Sequence, residues 1–312
     1  MMSNFLVTGG AGFIGSHIVE GLVNRGHKVR VLDNFSSGKK ENLKNVLGKI
    51  DLMNSDIRLK RTCVKACYEM DFVLHQAALR SVPKSMNNPE DYNEVNISGT
   101  LNMLEACRLN KVKRFVFASS SSVYGDVKNF PEKESFAPMP ISPYALTKLA
   151  GEHYCKIFSH HYGLPTVSLR YFNVFGPRQS LDDEYAVVVP KFINSMLKNQ
   201  HPPVYGTGKQ SRDFTFVTNV VNANLLAAKS KSLKYGIFNV ASGKDYTVLE
   251  LIEILNRIMG KRIKPIFLKK RPGDVFRTFA DLSLVKKVLG FKPEFNFTQG
   301  LKITLDYWRN NE

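Results

Sequence analysis

The sequence predicts an α/β fold in which a doubly wound parallel sheet is followed by a smaller C-terminal α/β region. One observation is a glycine-rich turn between an apolar run and an amphipathic segment, where Gly9, Gly12 and Gly15 form a GxxGxxG pattern. Another is that apolar runs alternate with helical segments up to about residue 172, which is the βαβ rhythm of a parallel sheet. Together they are typical of a Rossmann-type fold.

The glycine-rich turn has the residues that a dinucleotide-binding loop needs. Gly9, Gly12 and Gly15 let the backbone turn tightly and approach a pyrophosphate without a Cβ in the way. The N–H groups at the start of the next helix would hold the phosphates. An isolated motif of this kind is about as often an ordinary glycine-rich turn, so further support is needed.

That support is an acidic residue at the end of the next strand. The apolar run Lys28–Leu32 ends at Asp33, about twenty residues after the turn, where a carboxylate would bind the adenosine ribose of the cofactor. The same carboxylate repels a 2′-phosphate, so the pattern predicts NAD rather than NADP.

Four further strands continue the alternation. They are expected at Ile50–Met53, Phe72–His75, Arg114–Ala118 and Thr166–Arg170. Asp56 and Ile57 follow the first of these four strands, where a loop could reach the adenine ring. Ala77 and Ala78 follow the second, and small residues there let a dinucleotide lie across the carboxyl end of the strand.

The pattern changes after residue 172, where proline and glycine become more frequent and strands become short. We therefore expect an NAD-binding Rossmann domain over residues 1–172 and a smaller substrate-binding region over residues 173–312. Residues 213–235 form an expected strand–helix pair that would pack back onto the first domain.

Composition and charge limit the classes of protein that the chain can be. With 312 residues, 43% of them hydrophobic and 23% charged, it is typical of globular proteins. No apolar run reaches the eighteen or so residues of a membrane span, and no secretory signal is recognised. We therefore expect no membrane association and a cytoplasmic location.

The formal net charge of +17 raises the question of a nucleic-acid partner, which we do not expect. The basic residues are scattered in short groups, without an interleaved aromatic stripe, and a positive field suits a polyanionic small substrate equally well. The four cysteines, Cys63, Cys67, Cys107 and Cys155, show no metal-ligand spacing and are interpreted as buried, reduced thiols.

Two features could carry chemistry. Tyr144 and Lys148 form Tyr-x-x-x-Lys, and Pro143 at a helix start places both side chains on one face. The ammonium group favours the phenolate and would lower the pKa of Tyr144 toward that of a usable base. A serine of the run 119–122, after an apolar strand, could hydrogen-bond the substrate oxygen. Each feature alone is common by chance or as a polar loop.

Eight motifs in order carry a resemblance to a known family. They are TGGAGFIGSH, the acid at Asp33, HQAA, FASSSSVYG, SPYALTK, LRYFNVFGPRQ, SRDF and RPGD. Over essentially its full length the chain resembles the extended short-chain dehydrogenase/reductase family, and most closely its nucleotide-sugar 4-epimerases. The resemblance implies a tightly bound NAD and a UDP-hexose substrate. Tyr144 matches the catalytic base, Lys148 the ribose-binding and pKa-lowering lysine, and Ser120 the hydroxyl of the third member.

The resemblance also implies which residues contact the cofactor. They are Gly9, Gly12, Phe13, Ile14, Gly15, Asp33, Asn34, Ser37, Gly38, Asp56, Ile57, Ala77, Ala78, Asn96, Tyr144, Lys148 and Phe172. Arg80 stands where some relatives have glycine or lysine, and its contact is left open.

On the substrate side, the matching positions have distinct roles. Those implied are sugar contacts from Ser120, Ser121, Ser122 and Tyr144; a sugar-diphosphate amide at Asn173; backbone contacts at Val187 and Val188; a uracil shelf at Val204 and Tyr205; diphosphate-binding guanidinium groups at Arg212 and Arg271; a uridine-ribose acceptor at Asp274; and a wall of the C2 pocket at Thr278. A surface salt bridge is the alternative for each arginine. Thr278 is small and leaves room for an N-acetyl group.

The residues after Ser120 narrow the reaction. Related 4,6-dehydratases carry an acidic pair there, and decarboxylating relatives carry a carboxylate in the same loop, whereas this chain has Ser121 and Ser122. The resemblance therefore implies a 4-epimerase that interconverts UDP-N-acetylglucosamine and UDP-N-acetylgalactosamine, with UDP-glucose and UDP-galactose as a further pair, through a transient 4-keto sugar.

Two alternatives remain. One is another NAD-dependent nucleotide-sugar enzyme: a dehydratase, a reductase or a UDP-glucuronate 4-epimerase. The other is a catalytically silent dinucleotide-binding regulator, which would have no need of Tyr144, Lys148 and Ser120. A homodimer is expected because the predicted helices Pro89–Leu109 and Tyr144–Tyr162 are long and apolar, and the matching helices of relatives form an intersubunit bundle.

Overall fold

The computed structural model describes residues 2–181, 188–230, 232–269 and 275–310 of the chain. Its strands are β1 (Asn4–Thr8), β2 (Lys28–Asp33), β3 (Ile50–Asn54), β4 (Phe72–His75), β5 (Arg114–Ser120), β6 (Thr166–Tyr171), β7 (Val174–Phe175), β8 (Pro203–Tyr205), β9 (Ser211–Asp213), β10 (Thr215–Phe216), β11 (Tyr235–Val240), β12 (Asp245–Thr247), β13 (Ile266–Leu268) and β14 (Arg277–Thr278). Its helices are α1 (Phe13–Val23), α2 (Lys60–Cys67), α3 (Val82–Asn87), α4 (Pro89–Tyr92), α5 (Gly99–Leu109), α6 (Pro143–Tyr162), α7 (Val188–Leu197), α8 (Val217–Lys229), α9 (Val248–Met259), α10 (Ser283–Leu289) and α11 (Phe297–Arg309). None of these helices, as far as the chain is described, could span a bilayer.

Seven parallel strands form the central sheet, in the order β11-β6-β5-β4-β1-β2-β3. The five strands predicted after the glycine-rich turn all lie in it, each within two residues of its predicted end. Strand β6 is buried at every position, as expected for a parallel sheet that is covered on both faces. The strand order reverses between β1 and β4, so the carboxyl ends of these two strands border the crevice where such sheets bind ligands.

The chain returns to the central sheet after β10. Helix α8 packs against α1, β5 and β6, and a Cβ on Gly21 of α1 would lie only 2.8 Å from Cγ1 of Val221. Strand β11 then pairs with β6 and joins the central sheet. It begins at Tyr235, which is the last residue of the expected segment 213–235. The short strands β9 and β10 lie outside this sheet. Strand β9 pairs with β12 and β14, and strand β10 pairs with β7. The division into two domains at residue 173 stays a prediction.

Two helical regions position the site. Helix α6 begins one residue before its predicted start, and the hydroxyl of Ser142 caps it by accepting from the Ala145 N–H at 3.2 Å. The other predicted helix, Pro89–Leu109, is divided, because a π-helical segment over Asn93–Ser98 joins α4 to α5. Such segments are uncommon and often occur at functional sites. This one contains Asn96.

The C-terminal region has an aromatic core of its own. The rings of Phe175, Phe214, Phe216 and Phe297 pack with centroids 4.9–6.4 Å apart. Phe13, the first residue of α1, belongs to the same apolar cluster. The region after β6 is therefore packed directly on the helix that follows the glycine-rich turn.

All four cysteines are buried and form no disulfide. The Sγ atoms of Cys67 and Cys107 lie 3.8 Å apart, and burial raises the pKa of Cys63 to about 12. The described part of the chain contains no group of three or more His, Cys, Asp or Glu residues that could hold a metal ion.

Candidate active site

At two positions of the glycine-rich turn, other backbone atoms lie too close for a side chain. Gly9 has a φ of 65°, and a Cβ on it would lie 2.7 Å from the Ala77 nitrogen. A Cβ on Gly15 would overlap the carbonyl oxygen of Gly9. Gly12 precedes α1 and offers no side-chain cap. The backbone therefore forms a bare cradle at the start of a helix, which fits a pyrophosphate.

The carboxylate of Asp33 lies beside this cradle, at the end of β2. It accepts hydrogen bonds from the Ala11 N–H at 2.9 Å and the Phe35 N–H at 2.8 Å. Burial raises the pKa of Asp33, and the two N–H groups oppose this shift. The site fits the adenosine ribose of NAD because it keeps a carboxylate where a 2′-phosphate would have to lie.

The loop after β2 covers the turn and meets the loop after β3. The Lys39 N–H donates to the Ala11 carbonyl at 3.0 Å, and Gly38 passes so close that a Cβ would lie 2.9 Å from that of Ala11. The Asn34 amide donates to Asp56 at 2.8 Å. Hydrogen bonding to Arg58 lowers the pKa of Asp56 to about 2. The structure thus brings together the predicted cofactor positions 33–38 and 56. Ile57, next to Asp56, is buried.

A buried relay of hydrogen bonds leads from the loop after β4 to the π-helical segment. The Ala77 N–H donates to Thr8 Oγ1 at 3.2 Å, and Thr8 Oγ1 lies 2.7 Å from His75 Nδ1. His75 Nε2 lies 3.1 Å from Thr100 Oγ1, which donates to the Asn96 carbonyl at 2.6 Å. The Thr100 hydroxyl donates its only hydrogen to the Asn96 carbonyl, so toward His75 its oxygen can only accept. The ring hydrogen of His75 is therefore on Nε2, which donates to Thr100. Burial lowers the pKa of His75 to about 3, which keeps the ring neutral.

Asn96 is a predicted cofactor contact, and its side chain is fully engaged within the protein. Its Oδ1 accepts from the Leu79 N–H at 2.8 Å, and its Nδ2 donates to the Leu79 carbonyl and to Thr147 Oγ1, both at 3.0 Å. Thr147 in turn donates to the carbonyl of Tyr144 at 2.8 Å. Asn96 therefore positions the loop after β4 against α6, and a direct contact with the cofactor stays a prediction.

Tyr144, Lys148 and Ser120 meet as their sequence pattern predicts. Lys148 is buried, and its Nζ donates to the Ala118 carbonyl at 2.8 Å and lies 5.9 Å from the centre of the Tyr144 ring. Ser120 accepts from the Ser122 N–H at 3.2 Å and is hydrogen-bonded to the Tyr144 hydroxyl. Because the N–H already donates to Ser120, the serine can donate its own hydrogen to Tyr144.

The pKa of Tyr144 corrects one expectation. Burial raises it above its ordinary value, and the hydrogen bond to Ser120 and the charge of Arg80 lower it only in part. The expected lowering by Lys148 is wrong for the protein alone, since its ammonium group is directed at Ala118 and burial lowers its own pKa to about 8. A positively charged nicotinamide ring would add a lowering charge.

Arg80, whose contact the sequence leaves open, faces Tyr144. The Tyr92 hydroxyl donates to the Arg80 carbonyl at 2.6 Å, and the Tyr92 ring packs edge-on against that of Tyr144 with centroids 6.4 Å apart. This arrangement brings the backbone of Arg80 close to the phenol whose pKa its guanidinium lowers.

Glu152 is a site residue that the sequence analysis does not identify. It lies four residues after Lys148, and its carboxylate accepts from the Ser119 hydroxyl at 2.5 Å and from Arg170 at 2.7 and 2.8 Å. All three groups are buried. The signal was available, since residues 144, 148 and 152 share one helix face.

On the substrate side, Asn173 and Thr278 are in contact. Asn173 Nδ2 donates to Thr278 Oγ1 at 2.8 Å and to the Asp213 carbonyl at 3.3 Å. Arg212 lies opposite Thr278 in the β9–β14 pair, and its Nη1 donates to the carbonyls of Ser211 and Phe276 at 2.8 and 3.2 Å.

The other predicted positions differ in their surroundings. Ala78, Ser121, Val188 and Tyr205 are half-buried, while Phe172 and Val204 are fully buried and so offer no surface to a ligand in this structure. Within the described chain the buried Ser122 hydroxyl has no hydrogen-bond partner. Val187, Arg271 and Asp274 lie outside the described residues.

The comparison with known families decides the classification. Residues 5–241 match the model of the NAD-dependent epimerase/dehydratase family. The chain belongs to this family. Its NAD cofactor, its Rossmann-type fold and its class as an epimerase are thereby confirmed, as is the predicted resemblance.

Several members of the epimerase/dehydratase family are similar over nearly their full lengths. A putative UDP-glucose 4-epimerase from Methanocaldococcus jannaschii is 41% identical over 308 residues, 98% of both chains. A UDP-N-acetylglucosamine 4-epimerase from Methanobrevibacter ruminantium, solved with UDP-N-acetylmuramic acid, is 43% identical with a TM-score of 0.95 over 99% of both chains. A UDP-glucose 4-epimerase from Thermus thermophilus, solved with NAD, is 40% identical with a TM-score of 0.90 over 99% of this chain and 100% of that one.

Proposed function

We propose that this epimerase acts on UDP-hexoses, interconverting UDP-N-acetylglucosamine with UDP-N-acetylgalactosamine and UDP-glucose with UDP-galactose. The observation that carries the proposal is the Tyr144 hydroxyl, hydrogen-bonded to Ser120 above Lys148. Tyr144 and Ser120 lie at the carboxyl end of the sheet whose first strand leads into the glycine cradle. NAD supplies a reversible hydride acceptor, so that C4 of the sugar can be oxidised to a ketone and reduced on its other face.

The chain's own residues move the proton. Tyr144 is placed to take the proton of the sugar's 4-hydroxyl and to return it, and Ser120 donates to the phenolate that forms. Lys148 holds the helix on the strand through its hydrogen bond to the Ala118 carbonyl. Ser121 and Ser122 provide no acid that could expel a 6-hydroxyl, which argues against a dehydratase.

Room for the N-acetyl group is proposed at Thr278. Its small side chain lies 2.8 Å from Asn173, which follows the last strand of the sheet before the chain enters the C-terminal region. A small wall residue removes a steric barrier without creating a preference, which is why both substrate pairs are included.

A homodimer is part of the same proposal. A groove of about 760 Å³ lies between residues 86–97 and residues 140–147, the second stretch including the start of α6. Three of the apolar side chains that line it, those of Met86, Ile141 and Leu146, are 54–60% exposed. A second copy of these helices would cover them. The proposal is contradicted if light scattering at micromolar concentration gives a monomer of 35.3 kDa. The cytoplasmic location stays a prediction.

One experiment tests the reaction. The purified protein with NAD is incubated separately with UDP-N-acetylglucosamine, UDP-glucose and UDP-glucuronate, and the sugars are identified by NMR. We expect the 4-epimers of the first two without net NADH. Net NADH would indicate a dehydrogenase, and loss of water from the sugar would indicate a dehydratase. Turnover of UDP-glucuronate alone would indicate a UDP-glucuronate 4-epimerase. Bound NAD without any conversion would support a silent regulator.

A further inference from the structure

Arg178 connects the C-terminal region to the helix that begins at the glycine cradle. It follows β7, the strand that pairs with β10, and its mostly buried side chain reaches back to α1. There its Nη2 lies 2.5 Å from the carboxylate oxygen Oε2 of Glu20. The φ of Arg178 is 66°, a left-handed conformation that costs energy in an arginine. The contacts of the side chain must therefore outweigh this cost.

His17, one turn before Glu20 on α1, fixes the guanidinium group from a second side. Its Nε2 lies 2.9 Å from the carbonyl oxygen of Pro177, which can only accept, so the ring hydrogen is on Nε2. Nδ1 is then free to accept from Nη2 of Arg178 at 2.8 Å. Burial and the charge of Arg178 lower the pKa of His17 to about 4, so the ring is neutral and keeps this acceptor at neutral pH.

A third contact of Arg178 leads toward the cofactor cradle. Its Nη1 donates to the carbonyl of Asn42 at 2.8 Å. Asn42 belongs to a 3₁₀ turn over Lys40–Leu43, which ends the segment that covers the glycine-rich turn. Just beyond it, Nδ2 of Asn45 donates to the second carboxylate oxygen of Glu20 at 3.1 Å. This 3₁₀ turn is therefore tied to α1 and, through Arg178, to the C-terminal region.

The same 3₁₀ turn holds the backbone of the glycine cradle at Ala11. Nδ2 of Asn42 donates to the Ala11 carbonyl at 2.8 Å, and the Lys39 N–H donates to the same oxygen at 3.0 Å. The Ala11 N–H donates to the carboxylate of Asp33 at 2.9 Å. Both backbone polar groups of Ala11 are thus held, one by the covering segment and one by the acid at the ribose site. The spacing between the cradle and Asp33 depends on these contacts.

We infer that Arg178 is a positioning residue for NAD, which keeps the cradle and Asp33 in the arrangement that retains the adenosine half of the cofactor and thereby slows its release. The effect is indirect, since the hydrogen bonds run from Arg178 through Asn42 to Ala11. Changes within one binding site alter mainly the rate of dissociation, so this rate is the quantity to measure. The inference needs only NAD, which family membership establishes, and is independent of the sugar that is bound.

Release of NAD tests the inference directly. The purified protein is loaded with NAD labelled in the adenine ring and chased with unlabelled NAD, and the label that stays bound is followed with time. Arg178→Met removes the donors and should release NAD about tenfold faster than wild type, which corresponds to the loss of about one hydrogen bond. Equal release by the variant and wild type would overturn the inference.

Arg25→Met is the matched control for this experiment. Arg25 also links α1 to a later helix, since its Nη2 donates to Asn222 of α8 at 3.3 Å, but it lies just beyond the C-terminal end of α1. Because its contact is exposed and far along the helix from the cradle, release should stay within about twofold of wild type. Release as fast as that of Arg178→Met would show a general loosening of α1 and overturn the specific role of Arg178.

ADP-ribose tests which half of the cofactor is affected, because it has the adenosine and pyrophosphate of NAD but no nicotinamide. Calorimetry on the full chain after removal of NAD gives the affinity for each ligand. In Arg178→Met we expect the affinities for NAD and for ADP-ribose to fall by the same factor, about tenfold. A fall for NAD alone would place the effect at the nicotinamide end and overturn the inference.

Asn42→Ala tests the path from Arg178 to the cradle, since it removes the hydrogen bond to Ala11 and keeps the guanidinium contacts. It should release NAD about five- to tenfold faster than wild type. Combined with Arg178→Met, the increase should be smaller than the product of the two single increases, because the two residues act in series. A full product would overturn the path through Asn42. If Arg178→Met does not fold, unchanged release by Asn42→Ala overturns the inference by itself.

Discussion

The hydroxyl of Ser119 donates a 2.5 Å hydrogen bond to the buried carboxylate of Glu152. It is one of three contacts in which successive turns of α6 meet the end of β5. Tyr144 meets Ser120, Lys148 meets the Ala118 carbonyl, and Glu152 meets Ser119. The register of the helix on the strand is thereby set in part by Tyr144, Lys148 and Ser120, the residues proposed to carry the chemistry.

Replacing Tyr144 with Phe should lower kcat by ~10²–10⁴, because the group that exchanges a proton with the sugar is lost. NAD should remain bound, as measured by the absorbance of the protein after gel filtration. Tyr162→Phe is the matched control, since Tyr162 lies on the same helix and is 53% exposed. Turnover within a few-fold of wild type in the Tyr144 variant would remove this residue from the mechanism.

Replacing Glu152 with Ala should lower the free energy of unfolding by about 3–5 kcal/mol, because Arg170 would stay buried without its partner. Urea titration measures the change. A double variant, Glu152→Met with Arg170→Met, should recover much of the stability, since it removes both buried charges.

The double variant should nevertheless have a lower kcat than wild type, because Ser119 loses its acceptor next to Ser120. Glu105→Ala, which breaks an exposed pair with Arg108, is the control and should change stability far less. Full activity in the double variant would show that the ion pair serves stability alone.

Replacing Asp33 with Ser should weaken NAD binding. It should also reduce the ratio of the affinity for NAD to the affinity for NADP by about tenfold or more. Like charges a few Å apart near a protein surface repel by a few kcal/mol, and this repulsion of the 2′-phosphate would be gone. Equilibrium binding of both cofactors to the apoenzyme measures the ratio. Asp51→Ser is the control, because Asp51 lies on the neighbouring strand with its side chain 58% exposed. An unchanged ratio in the Asp33 variant would place the discriminating acid elsewhere.

Glu132 should make the protein less stable as pH rises from about 5 to 8. Burial raises its pKa to about 8, and its ordinary value is 4.5. Between these values the folded state binds more protons than the unfolded state, so this contribution is complete below pH 4.5 and is lost as pH rises through 8. Glu132→Gln keeps an acceptor for the Phe279 N–H and should flatten this part of the curve. Urea titrations across this range that give parallel curves for wild type and variant would contradict the assignment.

Local patterns were enough to predict much of the fold. The apolar runs predicted the five strands after the glycine-rich turn because a parallel strand covered on both faces must be apolar along its length. Gly9 and Gly15 were predictable because positive φ and a close backbone approach exclude a Cβ. The spacing of Tyr144 and Lys148 was predictable because one helical turn fixes it.

What the sequence by itself determined was therefore most strands of the central sheet, the glycine-rich cradle and the family. Only the tertiary structure decided which way each polar group points. The Asn96 amide is turned inward, burial raises rather than lowers the pKa of Tyr144, and the Asn173 amide is held by Thr278, 105 residues away. The reason is physical: hydrogen-bond partners and desolvation depend on neighbours that are close in space and distant in the chain, and no local pattern records them.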